Sequence, residues 1–221
     1  MSTTEDKKGL KIIMQIDIKC RKCRAIGEKL FLKGDRCFSP KCAMVRRPFK
    51  PGMHKKVKSR AGMSEFGKQL TEKKKIKLVY RIDENQLRRY FKESYASKGS
   101  TMEILFKKLE MRLDNVVFRL GFAPSRSIAR QLVNHGHFWV NGRKLRIPSK
   151  GLKIGDIITV RPQSLEMPVF KNLKETIKKQ ETPSFLSLNR EKIEGKVVAE
   201  PSMAELKPPF NISLVVEFYS K

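Results

Sequence analysis

Apolar residues recur at helical spacing through the second quarter of this chain and give way to short alternating runs in the third. From Ser64 to about Lys77 the period predicts a helix capped by Ser64. A clearer helix runs from Glu84 to Ser97, with Leu87, Tyr90 and Phe91 on one face and Arg88, Arg89 and Lys92 off it, and the Lys98-Gly99-Ser100 break ends it. Thr101 caps the next, amphipathic to about Leu113 through Ile104, Leu105 and Leu109, and Asp114 to Leu120 continues or restarts it as far as Gly121. Ser125 opens a short helix over 126–134 in which Ile128, Ala129, Leu132 and Val133 face a core while Arg126 and Arg130, four apart, share the opposite face. His135-Gly136 stops it. Phe138 to Val140 reads as a strand, Asn141-Gly142 as a type I′ turn into Lys144-Leu145-Arg146, and Ile157 to Val160 as a further strand ended by Pro162.

Outside these quarters the pattern is more broken. The stretch from Arg46 to Lys56 alternates cations with Pro48, Phe49, Pro51, Gly52, Met53 and His54, which excludes regular helix and predicts an extended segment ordered by phosphates. In the tail, Phe185 to Leu188 reads as a helical or turn segment, Asn211 to Tyr219 as an alternating strand, and Pro201, Pro208 and Pro209 keep the interval irregular. The class is therefore α+β: a basic N-terminal segment (1–60), a helical domain (61–108), a helix-helix-β-hairpin module (109–175) and a C-terminal segment (176–221).

Charge changes the picture most. The 221 residues carry a formal net charge of +27, a self-repulsion that makes physical sense against a polyanion. No apolar run is long enough to span a bilayer, so nucleic acid is the expected partner and the cell interior the expected place. The net charge is +13 over residues 1–60, +5 over 61–110, +8 over 111–175 and +1 from 176 onward. Two basic surfaces follow, with a near-neutral tail suited to packing on protein.

The only four cysteines stand as Cys20-x2-Cys23-x13-Cys37-x4-Cys42. Two close pairs can converge on one tetrahedral ion, and four thiolates leave no open position for catalysis, so one structural Zn2+ is the expected cofactor. Disulfides would imply export, yet Met1 to Gly9 is polar and charged and Lys11 and Asp17 interrupt the apolar residues that follow. A redox pair would need thioredoxin-type surroundings, and Arg21 and Lys22 sit among turn residues instead.

Arg126, Arg130 and Gln131 on one helix, followed by the hairpin with Lys144 and Arg146, set a cationic rim suited to the grooves and phosphates of folded RNA. This stretch resembles the small RNA-binding module of several translation proteins and RNA-modifying enzymes. The words Arg112 to Phe122 (RLDNVVFRLGF), Ala129 to His137 (ARQLVNHGH), Val140-Asn141-Gly142, Ile147-Pro148-Ser149 and Val216 to Lys221 (VEFYSK) are similar to the small-subunit ribosomal protein four family of bacterial type. The resemblance covers nearly the whole chain, including Arg46-Arg47-Pro48, Pro51-Gly52 and Gln69 to Lys73. It departs at Thr101-Met102-Glu103, where Thr-Gly-Glu is usual, and at Lys150-Gly151, where an aromatic often follows the serine.

The resemblance implies a primary binder of small-subunit ribosomal RNA at a multi-helix junction of the 5′ domain, nucleating the subunit body and influencing decoding accuracy. It implies neighbouring small-subunit proteins three, five and twelve, messenger RNA nearby, and a cytoplasmic or organellar small subunit as location, with no membrane and no small-molecule substrate. It also implies that the C-terminal segment folds back on the helical domain, making that domain discontinuous with the module inserted. The expected RNA contacts are Arg21, Lys22, Arg24, Lys33, Arg36, Lys41, Arg46, Arg47, Lys50, His54, Lys55, Lys56, Lys58 and Arg60 on the first basic surface. Lys73 joins them, and the second surface adds Arg112, Ser125, Arg126, Arg130, Gln131, His135, His137, Asn141, Lys144, Arg146 and Lys150.

Two rival classes lack their sequence signs here. An RNA-modifying enzyme borrowing the module would need a separate catalytic domain with a carboxylate in a pocket, and no stretch has the length or acidic motif for one; His54, His135 and His137 have no activated partner. A zinc-finger DNA regulator would need a recognition helix between the cysteine pairs, where Gly27 and Gly34 break the chain. Trp139 reads as a hairpin core residue rather than a base-stacking platform.

Overall fold

A computed structural model describes residues 19–52, 62–171, 173–179 and 181–220. Among the described residues, 19–26 are helical (α1), followed by a 3-10 turn at Gly34–Cys37 and a short α2 (Ala43–Arg46). The helical domain holds α3 (Glu65–Tyr80), α4 (Glu84–Tyr95) and α5 (Thr101–Glu110); α6 (Leu113–Arg119) and α7 (Arg126–His135) begin the module. Local chemistry sets these bounds. The Ser64 hydroxyl accepts from the Gly67 N–H at 3.2 Å, the Asp83 carboxylate from Gln86 N–H at 2.8 Å, and the Ser125 hydroxyl from Ile128 N–H at 3.4 Å. The helix expected to begin under a Thr101 cap instead has Ser100 before its first residue, without a side-chain cap bond, and it stops at Glu110 before α6 restarts.

Strands β1 (Phe138–Val140), β2 (Arg143–Lys144), β3 (Ile157–Val160), β4 (Leu186–Asn189) and β5 (Glu194–Val197) form an antiparallel sheet in the order β2-β1-β3-β5-β4. Asn141 and Gly142 both take left-handed backbone, φ 50° and 75°, as the type I′ turn between β1 and β2 demands. Short helices α8 (Leu173–Lys179) and α9 (Met203–Leu206) precede the closing α10 (Ile212–Ser220).

The tail corrects two expectations. Residues 186–197 are a hairpin that extends the module's sheet through β3–β5 pairing, so the segment 176–221 divides between the two domains instead of lying wholly on the helical one. Asn211 to Tyr219, expected as a strand, is helical from Ile212 and packs on α3. Ile212, Val215, Val216 and Tyr219 share one stripe at i, i+3, i+4 and i+7 toward the helical core, and that packing overrides the strand preference of the β-branched residues.

Two cores result. Leu113, Val116, Val117 and Leu120 of α6 pack with Ala129, Leu132 and Val133 of α7, with Phe138 and Ile158, and with Phe170, Ile177, Phe185 and Val197. The second gathers Ile76, Val79 and Tyr80 with Leu87, Leu105, Phe106, Leu109, Ile212 and Val215, and takes in Cys23 and Leu30, which seats the N-terminal segment on α3. No helix among the described residues is long and apolar enough to cross a membrane.

Candidate nucleic-acid interface

The joint between the two cores is polar and buried. Glu110, 0% exposed at the end of α5, accepts from Tyr80 Oη at 2.6 Å, Asn115 Nδ2 at 2.7 Å and Arg119 Nε and Nη2 at 3.1 and 3.0 Å. Arg126 donates from Nε to Asn115 Oδ1 at 2.7 Å, and its guanidinium lies 4.6 Å over the Phe118 ring and 5.2 Å over Tyr80. Burial alone would raise the Glu110 carboxyl; the Arg119 and Arg126 charges, with the Arg119 and Tyr80 bonds, hold it below its ordinary value. Arg112, 1% exposed, forks onto both Asp114 oxygens at 2.9 and 2.7 Å and reaches Tyr90 Oη at 2.8 Å.

This joint gives part of the expected RNA surface partners within the protein. Arg112 and Ser125 are buried, the latter as the α7 cap. Arg126 faces the joint, and half-buried Arg130 donates to the Arg81 carbonyl at 2.7 Å, because the helical domain packs over part of the polar face of α7. Lys73 is buried against Glu84 at 3.0 Å and 4.1 Å over the Phe218 ring. Arg24 donates to the Phe49 carbonyl at 3.0 Å and lies over its ring. Asn141 is exposed but clasps Asp156 at 2.8 Å and the Ile157 N–H at 2.9 Å, holding the turn. His54, Lys55, Lys56, Lys58 and Arg60 lie outside the described residues.

The other residues expected on the second surface stand at the end of α7 and on and after β2. Gln131, His135, Lys144, Arg146 and Lys150 are exposed, and His137 is half-buried with Nδ1 3.0 Å from Ser164 Oγ. Gly136 ends α7 at φ 76°, and a Cβ there would meet Lys144 Cε at 2.5 Å and Arg146 Nε at 3.2 Å, so the bare backbone lets both cations lie across the helix end. The negative end of the α7 dipole offsets part of their repulsion. Crowding disfavours the charged forms: Arg146 depresses the Lys144 ammonium, and burial, then His135, Arg161 and Lys144, depress His137. None of His135, Lys144, Arg146 or Arg161 is ion-paired to a carboxylate among the described residues. Lys144, Arg146 and Arg161, close together without a carboxylate partner there, leave a local positive potential that suits an external anion. Exposed Arg143 and Lys153 and half-buried Arg161 extend the rim and were missed; Arg143 directly follows the Asn-Gly turn, a position that signals exposure.

On the first surface, Arg21, Lys22, Arg36, Lys41, Arg46, Arg47 and Lys50 are exposed around the cysteine segment. Cys20, Cys23, Cys37 and Cys42 are free thiols lining one cavity of about 20 Å³, room for a single small atom. Burial is the largest effect raising the Cys23 and Cys37 thiols, opposed by backbone N–H groups of Leu30 and of Lys33, the latter 3.4 Å from Cys37 Sγ. Lys33, expected on RNA, lines the same cavity, its Nζ buried without a hydrogen-bond partner. The donor chemistry fits zinc: soft ligands, amide donors to sulfur, and an orphaned ammonium suited to offset excess thiolate charge. As the side chains stand, however, no three Cys, His, Asp or Glu of the described residues are grouped closely enough to hold an ion.

Two basic faces held by a rigid joint define a protein built to grip a large, folded polyanion. Residues 15–110 match the ribosomal protein S4/S9 N-terminal domain, and residues 111–158 match the S4 domain. The chain is 49% identical over 205 residues to the small ribosomal subunit protein uS4 of Syntrophomonas wolfei, covering 93% of this chain and 98% of that protein. Against uS4 of Solidesulfovibrio magneticus the identity is 47% over 205 residues, with the same coverage, and against uS4 of Clostridium botulinum 51% over 202 residues, covering 91% and 96%. The chain belongs to the uS4 family of small ribosomal subunit proteins.

Proposed function

We propose that this chain is a structural, non-catalytic component of the small ribosomal subunit that binds its ribosomal RNA. The observation that carries this is the group of Lys144, Arg146 and Arg161, none ion-paired to a carboxylate among the described residues, beside His135 at a module whose residues 111–158 match the S4 domain. The rim reads shape and backbone more than bases, as a junction of several RNA helices requires. On the family resemblance, the target is a junction in the 5′ domain; binding there nucleates the subunit body and shapes decoding accuracy, beside proteins three, five and twelve and the incoming messenger. The compartment is then the cytoplasm or an organelle that houses the ribosome.

One structural zinc, held by Cys20, Cys23, Cys37 and Cys42, belongs to the same proposal. It would supply folding energy to the basic N-terminal segment and carry no reaction step. The experiment is binding of the purified chain to isolated 5′-domain RNA against an unrelated structured RNA of equal length. A preference persisting at high salt is expected; equal binding that collapses with salt would overturn the junction assignment.

A further inference from the structure

Between the cysteine segment and the module lies a groove of about 760 Å³ that shares only Phe118 with the joint and nothing with the cationic rim. Phe31 and Phe38 form one side, and Phe122, Pro124 and Val169 the other. Phe38 is 76% exposed and Phe31 45%, yet their rings are stacked, 4.9 Å between centroids with 27° between planes. Phe31 adopts left-handed backbone at φ 50°, uncommon for a bulky residue. The groove's walls are tied together: a Cβ on Gly34, at φ 64°, would come 2.4 Å from the Pro124 carbonyl oxygen, so the two backbones touch there. The aromatic pair is thus presented on a fixed wall.

We infer that this groove receives one unstacked base of the bound RNA, stacked on Phe38. The inference rests on the RNA-binding reading above and names a contact within it that charge alone does not provide. Residues 19–50 hold eleven lysines and arginines against two acidic residues, so the approaching partner is a polyanion. Arg36 and Lys41, both exposed, flank Phe38 in sequence and suit the phosphates on either side of the base. Asp35 and Glu175 line the groove itself; they repel phosphate and accept from base amino groups, so the base and not the backbone enters. Every base has a face that stacks on an aromatic ring, and unpaired loop or bulge nucleotides in folded RNA supply such faces.

The test compares the intact chain with Phe38→Ala, Phe38→Leu and Phe38→Trp in binding to 5′-domain RNA across a salt titration. Phe38 is exposed, and unchanged far-ultraviolet circular dichroism will show that each variant is folded. Stacking predicts that Ala and Leu weaken binding about tenfold with the salt slope unchanged, and that Trp retains it. Wild-type affinity in the Leu variant would overturn the inference, since an apolar side chain would then suffice, as in contact with a protein partner; so would unchanged affinity in the Ala variant. If the unsubstituted chain shows no preference for this RNA over the control, the RNA reading fails and the base site with it. That outcome is recognised from the wild type alone.

Discussion

A guanidinium at position 126 can serve a phosphate or the buried Glu110–Asn115 pair, and the fold decides for the pair. Arg126→Ala is therefore expected to lower stability by about 1–3 kcal/mol, because it strands a buried acceptor, while leaving the salt slope of RNA binding unchanged. Urea denaturation and a salt titration of binding check both halves. Lys33 follows the same logic: its Nζ, buried without a hydrogen-bond partner, lines the cavity of the four thiols, where the proposed zinc site would use it as a counter-charge. If that site holds zinc, Lys33→Met should release it to a competing chelator at lower chelator concentration than the unsubstituted chain, with Cys23→Ser and Cys42→Ser retaining none. Zinc retention by Lys33→Met equal to that of the unsubstituted chain would remove that role.

Among the elements, the end of α7 and the β1–β2 hairpin present the cations that the proposed RNA contact would use. Gly136→Ala should cost about 1–2 kcal/mol for a side chain in left-handed backbone. It should also weaken RNA binding by pushing aside Lys144 and Arg146, a joint effect read by thermal unfolding and by affinity. This hairpin was legible because its signals are local: the Ser125 cap, the His135-Gly136 stop and the Asn-Gly turn each fix backbone within a few residues. What the sequence hid was which face of a helix another domain covers. Arg126 and Arg130 lie on the polar face of α7 as expected, but Glu110 and the Arg81 carbonyl, distant in sequence, occupy that face. The Ile212–Ser220 helix was hidden in the same way, its β-branched residues favouring a strand until α3 supplied a surface for its helical stripe. The cysteine segment was legible as a cluster of thiols and cations; the inward turn of Lys33 depends on packing that spacing does not encode.

Over the whole molecule, carboxylates tie the α3–α4–α10 assembly and the interdomain joint together. Burial would raise the Glu84 carboxyl, but hydrogen bonds from Lys77, Tyr219 and Lys73 pull it down to about 2, and Glu110 is also held below its ordinary value. Groups depressed in the folded state contribute stability that is fully present above the unfolded value near 4.5 and is lost as pH falls through the folded one. Urea midpoints should thus hold at neutral pH and fall steadily below about pH 4.5. Glu110→Gln should flatten that decline and lower the neutral-pH midpoint. With the joint intact, the two basic faces keep a fixed relation, which recognition of a folded RNA by shape requires. The most direct measurement is the salt slope of 5′-domain RNA binding for the intact chain against the double variant Lys144→Gln, Arg146→Gln. Loss of two phosphate contacts predicts a slope shallower by about two with unchanged unfolding; an unchanged slope would place the RNA face of the module elsewhere.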